Sequence, residues 1–260
     1  MRKRVFFAII LFIVGIASGV SAMILMNYMQ RAGSENAVKN AQEMANITTV
    51  PGKAISTGGD IAETNPYWQF IKMELIKADL SELRKINPEA TGWVRIAGTG
   101  VDMPFVQTDN NDFYINHSFN KSSNGDGWIF LDSRNDRNLS DSNNILYAHG
   151  NSKSMMFDKL REVLSNGWLS DRANFVIRTS TDEASKTWQV FSIYKEKGTE
   201  HLVAKFGTDD DFADYIKKVL DKSKYGFSTP VSSIDKILTI STKVGDDEYA
   251  VMHAKLIKSS

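Results

Sequence analysis

The chain has 260 residues, 31 Lys and Arg against 31 Asp and Glu, and no cysteine. Its hydrophobic fraction of 42% supports a packed core and excludes global disorder. The formal charge of zero gives no reason to expect a nucleic acid partner. Without cysteine there is no disulfide, no thiolate metal site, no iron–sulfur cluster and no cysteine nucleophile.

The first residues carry the pattern of a membrane signal-anchor. Arg-Lys-Arg at residues 2–4 precedes an uncharged, mostly apolar run over residues 5–26. This run is long enough for a helix to cross about 30 Å of hydrocarbon. The basic residues predict a cytoplasmic end at residues 1–4 and export of the rest. A cleaved signal peptide is the alternative, with a small-residue site at Val20-Ser21-Ala22, but the apolar run continues past that site and favours an uncleaved transmembrane anchor.

Residues 27–65 are predicted to form an extracellular stalk or linker. A short helix is expected over residues 36–44. Residues 47–65 are rich in Thr, Gly, Ser and Pro and have no sustained apolar period, which is typical of a linker. The folded domain is therefore expected over residues 66–260.

The domain begins with a predicted helix and continues mainly as strands. Apolar residues at three- and four-residue spacings predict a helix over residues 66–87, which Asn87-Pro88 ends. Strands are predicted over residues 92–96, 103–107, 128–131, 144–149, 174–178, 188–194, 236–242 and 249–257. Two further helices are expected, over residues 156–164 and from Asp209, where three acidic residues suit a helix N-terminus. The pattern indicates a mostly β domain with helices at its edge.

Three strand-like segments carry a recognisable set of motifs. They are Leu146-Tyr147-Ala148-His149-Gly150, Leu238-Thr239-Ile240-Ser241-Thr242-Lys243 and Tyr249-Ala250-Val251-Met252-His253-Ala254-Lys255-Leu256. Together they resemble class B sortases, which are membrane-anchored transpeptidases of Gram-positive bacteria. The family pattern has a His after an (I/L)-Y-(A/G)-H strand, a T-L-S-T-C strand, and an Arg that opens an R-x-V-V-x-A-K strand. The resemblance implies a closed eight-stranded β-barrel with peripheral helices.

Other segments match the same family in the same order. Residues 87–93 and 98–107 resemble its first strands, residues 114–117 and 129–135 resemble its middle, and Met155-Met156-Phe157 follows His149 as in the family. The resemblance thus covers residues 80–257 almost continuously.

The resemblance fails where the chemistry should be. In the family the Cys attacks a sorting-signal peptide and forms an acyl-enzyme, the His protonates the leaving amine, and the Arg stabilises the oxyanion. Here Lys243 stands at the Cys position and Tyr249 at the Arg position, and no arginine follows Arg178. Only His149 of the three is retained, and without the resemblance it would be an ordinary strand-end histidine.

The replacements suit acyl transfer poorly. An acyl group on a lysine amine is a stable amide that a second amine would not release, and an ammonium group has no lone pair with which to attack. Ser241 lies on the same strand face as Lys243, but about 6–7 Å away, and an error of about 1 Å can cost about a hundredfold in rate. Tyr249 donates one hydrogen bond and brings no charge.

These residues predict a catalytically degenerate, class B sortase-like surface protein, a pseudoenzyme that binds a sorting-signal-like peptide or a cell-surface or pilus protein. By the resemblance, Ser241, Thr242, Arg134 and Asn135 are candidates to line the peptide groove, although the last two would equally close a turn. The alternative is an active sortase-type transpeptidase or hydrolase that anchors surface proteins to the cell wall with an atypical nucleophile, for example Ser241 paired with His149. A third possibility is a purely structural spacer on the cell surface.

No cofactor or metal is expected. The four histidines have no metal-ligand spacing. We interpret His117 and His253 as structural and His201 as a loop residue. Asp246, Asp247 and Glu248 are interpreted as a solvated turn.

Overall fold

The computed structural model describes residues 20–21, 24–25, 28–29, 32–55, 62–148 and 157–260. Most of the predicted membrane span over residues 5–26 lies outside these residues. Among the residues described, no helix has the length and apolarity that crossing a membrane requires.

The strands, in chain order, are β1 (Ile47–Val50), β2 (Lys53–Ala54), β3 (Leu75–Ala78), β4 (Ala90–Ile96), β5 (Val101–Val106), β6 (Phe130–Leu131), β7 (Asn143–Tyr147), β8 (Val176–Thr181), β9 (Ser185–Lys197), β10 (Ile237–Lys243) and β11 (Glu248–Ser259). The helices are α1 (residues 32–44), α2 (Tyr67–Lys72), α3 (Ser81–Ile86), α4 (Asp158–Arg161), α5 (Asn166–Leu169) and α6 (Asp209–Lys222).

Eight of the strands form a closed barrel. Their order is β10-β7-β6-β5-β4-β8-β9-β11, and β10 pairs with β11 to close the circle. Neighbours are antiparallel except for the pairs β10–β7 and β5–β6, which are parallel. The closed eight-stranded barrel with peripheral helices that the resemblance implied is therefore confirmed.

Strands β10 and β11 separate two packed layers because successive side chains point to opposite faces of a strand. Leu238 and Ile240 of β10 join Met252 and Ala254 of β11 in the main core. Ile237 of β10 and its neighbours on the other face belong to a second, smaller cluster. This outer face carries Ser241, Lys243 and Tyr249.

Helix α6 covers part of the outer face. It begins after Thr208, whose side chain accepts a hydrogen bond from the Asp211 amide while the Asp211 carboxylate accepts one from the Thr208 amide. This reciprocal capping satisfies two amides that a helix start leaves unpaired. The buried face of α6 contributes Phe212, Tyr215, Ile216 and Val219 to the smaller cluster. The helix predicted from Asp209 is confirmed.

The single helix predicted over residues 66–87 is wrong. The chain forms α2, then strand β3, then α3, and β3 pairs antiparallel with β1 from Ile47↔Ala78 to Val50↔Leu75. The apolar residues Leu75 and Ile76 are fully buried. Their spacing also fits a helix, and only the partner strand β1 decides the conformation.

Two short strands lie within the segment whose composition predicts a linker. β1 pairs with β3, and β2 extends the sheet beside β11 through Lys53↔Ser259 and Ala54↔Lys258. Helix α1, expected over residues 36–44, is present over residues 32–44 and buries Ala41. Strands this short are stabilised by the strands that they pair with, and composition alone does not predict those pairings.

The remaining elements differ from prediction mainly in length. The predicted strand over residues 128–131 is reduced to β6, although Trp128 and Ile129 are fully buried. Strands β8 and β9 are longer than the strands predicted over residues 174–178 and 188–194, because their antiparallel pairing extends to Ser180↔Ser185. Helix α4 covers only the middle of the helix predicted over residues 156–164.

Candidate functional site

Lys243 and Tyr249 face each other across the last two barrel strands. Lys243 ends β10 and Tyr249 lies near the start of β11, and the two are register partners in the antiparallel ladder. Both are half-buried. Burial raises the pKa of the Tyr249 hydroxyl, and the carboxylate of Asp247 raises it further, so Tyr249 is a neutral hydrogen-bond donor at physiological pH.

His149 lies outside the described residues. The strand leading to it is described: β7 runs parallel to β10 with Tyr147 opposite Ser241, and the amide of Ala148 donates to the carbonyl of Ser241 at 2.9 Å. The last described residue before His149, Ala148, thus lies beside the end of β10 that carries Lys243.

Ser241 contacts a histidine that the sequence analysis placed in a loop. The Oγ atom of Ser241 lies 2.8 Å from Nε2 of His201. The other ring nitrogen of His201, Nδ1, lies 2.7 Å from Oε1 of Glu196. This second contact has ion-pair distance without aligned hydrogen-bond geometry. Three parts of the chain thus meet at one imidazole: Ser241 comes from β10, His201 from the segment after β9, and Glu196 from β9.

The loop that carries His201 is fixed at several points. It leaves β9 at Gly198, whose φ of 77° is left-handed and suits glycine. The Gly198 amide donates to the Asp247 carbonyl at 3.0 Å. The Tyr215 hydroxyl of α6 donates to the carbonyl of His201 at 2.8 Å. The segment that carries His201 is therefore held by two other parts of the chain, the loop before β11 and helix α6.

Electrostatics keep the His201 ring neutral. Burial lowers the pKa of His201; Glu196 opposes this shift, Lys222 reinforces it, and the net direction is down. The ammonium group of Lys222 forms an ion pair with Oε2, the other carboxylate oxygen of Glu196. With the proton of the neutral ring on Nδ1, the nitrogen that faces Glu196, Nε2 is an acceptor for the Ser241 hydroxyl. This tautomer is assigned from the charge of Glu196 and not from an aligned hydrogen bond.

No pattern in the sequence links Ser241 with His201, and the sequence offers only His149 as a possible partner of Ser241. The two residues lie 40 positions apart and meet only through the path of the chain between β9 and α6. The alternation of β10 did predict that Ser241 and Lys243 share a face.

The other candidate groove residues lie elsewhere. Thr242 is buried and lies on the opposite face of β10 from Lys243, because neighbouring strand residues alternate. Asn135 is buried in a turn, where it donates to Asp141 and to the carbonyl of Asn143 and accepts from the Ile145 amide. These contacts favour the turn-closing interpretation of Asn135.

Arg134 is half-exposed and paired. It donates from Nε and Nη2 to the two oxygens of Asp132, at 2.8 and 2.6 Å, and from Nη2 to the carbonyl of Leu202 at 3.2 Å. Burial raises the pKa of Asp132, but the hydrogen bonds from Arg134 outweigh it and hold that pKa below its usual value. Arg134 thus braces the segment next to His201.

His253 fills the outer face beneath α6. It is fully buried, with Nε2 3.0 Å from the Tyr194 hydroxyl and Nδ1 2.9 Å from Thr239 Oγ1. Burial lowers its pKa well below the usual value, and electrostatic interactions with His201 and Lys222 add to the shift. These contacts agree with the structural role expected for His253.

Comparison with known proteins identifies the family. No family model matches the chain. Sortase B of Listeria monocytogenes is 30% identical over 188 residues, which cover 70% of this chain and 75% of that protein. The chain belongs to the sortase B family. Sortase B of Staphylococcus aureus is 29% identical over 194 residues, covering 72% of this chain and 78% of that protein.

Solved sortase B structures share the barrel. A cysteine-to-serine mutant of Clostridium perfringens sortase B is 32% identical, with a TM-score of 0.62 over 68% of this chain and 85% of its own. The Staphylococcus aureus sortase B–substrate complex is 29% identical, with a TM-score of 0.63 over 69% of this chain and 84% of its own. Sortase B of Bacillus anthracis in complex with AAEK1, at 24% identity, supports the fold, with a TM-score of 0.71 over 89% of this chain and 99% of its own.

Proposed function

We propose that this sortase B family member binds a sorting-signal-like peptide, or a surface or pilus protein bearing such a segment, without the thiol transpeptidation of the family. One observation carries the proposal: a chain without cysteine keeps the barrel and presents Lys243 and Tyr249 in register at the strand ends where the resemblance places the nucleophile and the arginine. The proposal includes a single-pass anchor at residues 5–26 in the cell membrane of a Gram-positive bacterium, with the barrel outside.

The chemistry of the pair suits a peptide backbone. An ammonium group and a phenol hydroxyl are both hydrogen-bond donors, and peptide carbonyls and carboxylates are acceptors. Lys243 and Tyr249 are both half-buried, so part of each side chain is accessible from solvent. The relative from Staphylococcus aureus is described as a substrate complex, which supports a peptide as the occupant of the corresponding surface here.

Active transpeptidation needs a nucleophile other than cysteine. Acyl transfer to Lys243 would end in a stable amide, which blocks turnover. A structural spacer, the third possibility, has no need of a peptide site. Saturable peptide binding therefore separates the proposed function from the spacer, and transfer of the peptide to an amine separates it from a sortase.

The test uses the full-length chain in a mild detergent, fluorescent peptides of the N-P-x-T type, which by the resemblance is the sorting motif that class B sortases often recognise, and triglycine as amine acceptor. We expect saturable binding by fluorescence anisotropy and no peptide–triglycine product by mass spectrometry. Lys243→Glu removes the donor cation and should weaken binding at least tenfold, whereas Lys217→Glu, the same charge change on the exposed side of α6, should leave it unchanged. Peptide–triglycine product that His149→Ala abolishes would contradict the proposal, as would non-saturable binding by the folded protein.

A further inference from the structure

The line of Ser241, His201 and Glu196 is unlike an ordinary buried hydrogen bond. Nε2 of His201 shares a hydrogen bond of 2.8 Å with the Ser241 hydroxyl, and Nδ1 of the same ring lies 2.7 Å from Oε1 of Glu196, at ion-pair distance without aligned hydrogen-bond geometry. The three residues come from β10, the segment before α6, and β9. A serine, a histidine that accepts its proton, and a carboxylate that orients the histidine are the parts of a serine acyl-transfer site, which is recognised by geometry and roles and not by fold.

The ionisation of the group is the one that this chemistry needs. The ring is neutral because burial lowers the pKa of His201, so its Nε2 lone pair is available for the hydroxyl proton of Ser241. Glu196 faces the other nitrogen, where it would stabilise the imidazolium that forms during reaction. Lys222 binds the remaining oxygen of Glu196 and holds the carboxylate in place.

The group adjoins the Lys243 and Tyr249 pair. Ser241 and Lys243 are two residues apart on one face of β10, a step of about 6–7 Å, which the four-carbon stem of a lysine spans. The ammonium group of Lys243 is thus within reach of negative charge that develops at an acyl group on Ser241. The Tyr249 ring packs on His201, with the ring centres 5.3 Å apart.

The site is closed in this structure. Ser241 is 0% exposed and His201 is 1% exposed. Tyr249 is half-buried and its ring contacts the imidazole, so it covers His201 in part. Reaction at Ser241 therefore requires this cover to move, and opening steps of that kind limit the rate of many enzymes.

We propose that Ser241, His201 and Glu196 form a serine acyl-transfer site in the floor of the peptide surface, with Ser241 as nucleophile, His201 as general base and Glu196 as the residue that positions His201. Ser241 Oγ bonds to the acyl carbon while its proton passes to His201 Nε2. Collapse breaks the acyl–nitrogen bond and returns the proton to the leaving amine. Water then attacks the acyl-serine by the same proton route, releases the acid and restores Ser241.

The substrate class, a peptide acyl group, rests on the proposed function. The reactivity of Ser241 does not, and a small serine-directed probe tests it without any peptide. The probe is a fluorophosphonate, which forms a phosphorus–oxygen bond with an activated serine and releases fluoride. The full-length chain in mild detergent is labelled over time, and the adduct is mapped by mass spectrometry.

We expect a single adduct on Ser241 and none on Ser241→Ala. His201→Gln should slow labelling at least about a hundredfold, the usual effect of losing a general base, and Glu196→Gln should slow it less. Tyr249→Ala should label about tenfold faster than the unchanged chain, an increase that a purely structural serine would not show. The labelling rate should also fall as the pH is lowered and His201 takes up a proton.

Ser192→Ala is the matched control, because Ser192 is also a fully buried serine in the barrel and donates to the carbonyl of Val219 at 2.6 Å. It should label like the unchanged chain. The proposal is overturned if neither the folded unchanged chain nor Tyr249→Ala is labelled on Ser241, or if His201→Gln labels at the unchanged rate. Peptide binding measured on Ser241→Ala is independent of the reaction, so failure of the peptide surface and failure of the acyl-transfer site give different results.

Discussion

The two faces of strands β10 and β11 share one backbone and differ in their polar content: the outer face combines apolar residues such as Ile237 and Val251 with buried polar ones. Toward the barrel interior, Leu238, Ile240, Met252 and Ala254 pack in the main core. On the outer face, Thr239, Ser241, His253 and Lys255 are just as buried, but each has a polar partner. An apolar face is stable on any partner of fitting shape, whereas a buried polar face is stable only while each group keeps its specific partner.

The comparison explains why the outer face depends on α6 and on the loop before it. They supply partners to the polar side chains, such as His201 for Ser241. The inner face needs no such partner, because its side chains contact one another. The outer face is therefore the part of the barrel where we propose a functional site, and where we expect substitutions to act through charge and protonation.

The largest loss of stability is expected from breaking the ion pair between Lys255 of the outer face and Asp235. Lys255 is fully buried, lies 3.0 Å from Asp235, and donates to the Pro230 carbonyl at 2.8 Å. Asp235→Ala leaves a buried ammonium without its carboxylate and should lower the free energy of unfolding by about 4 kcal/mol. Urea unfolding measures it. Glu82→Ala removes an exposed pair with Lys85 and should change the free energy by less than about 0.5 kcal/mol; equal effects would contradict the account.

The second largest loss of stability is expected from a cavity in the inner face. Ile240 is 1% exposed, and Ile240→Ala should lower the free energy of unfolding by about 3 kcal/mol, with no dependence on pH between 5 and 8. Ile234→Ala is the control, because Ile234 is 83% exposed and its truncation should be nearly neutral. Denaturant titrations at several pH values measure the free energy of unfolding of both variants. A loss in Ile240→Ala that depends on pH would contradict the difference between the two faces.

The outer face should respond to acid. The pKa of His253 lies well below 6.5 in the folded chain, so below about pH 6.5 the unfolded chain binds a proton that the folded chain excludes. Stability should therefore be fully present above that pH and fall by up to about 1.4 kcal/mol per pH unit below it. His201, whose pKa is also lowered, contributes in the same direction. His253→Gln should flatten the dependence of the urea midpoint on pH, and an unchanged slope would show that His253 is not the group responsible.

The smallest effect is expected at the start of α6. Thr208→Ala removes the side-chain cap of the helix and should lower the free energy of unfolding by about 1 kcal/mol. Thr208→Ser keeps the hydroxyl and should lose much less. Amide hydrogen exchange of α6 gives a local readout: faster exchange in Thr208→Ala with the barrel strands unchanged would confirm that the cover opens separately from the barrel.

The inner face and the outer face also differ in how far the sequence predicts them. Alternation predicts β10 and β11, because Leu238 and Ile240 recur at every second position, and Asp209 predicts the start of α6. The same reasoning misses β3, since Leu75 and Ile76 fit a helix as well as a strand and the pairing with β1 decides between them.

The candidate site likewise has a part that the sequence predicts and a part that it does not. The motif predicts that Lys243 and Tyr249 belong together, and the ladder confirms that they are register partners. The contacts of Ser241 with His201 and of His201 with Glu196 were missed, because they join three elements whose approach no local pattern encodes. The partners of buried polar groups are set by tertiary structure, so sequence reasoning finds the groups before it finds their partners.

The most direct test of a peptide surface at the strand ends is photo-crosslinking. An N-P-x-T-type peptide with a photoreactive group at its carboxyl end is bound to the full-length chain, irradiated, and mapped by mass spectrometry. The account predicts crosslinks at Lys243, Tyr249 and their immediate neighbours, suppressed by excess unreactive peptide. Crosslinks that are scattered over exposed sites, or that persist at full level with the competitor present, would contradict it.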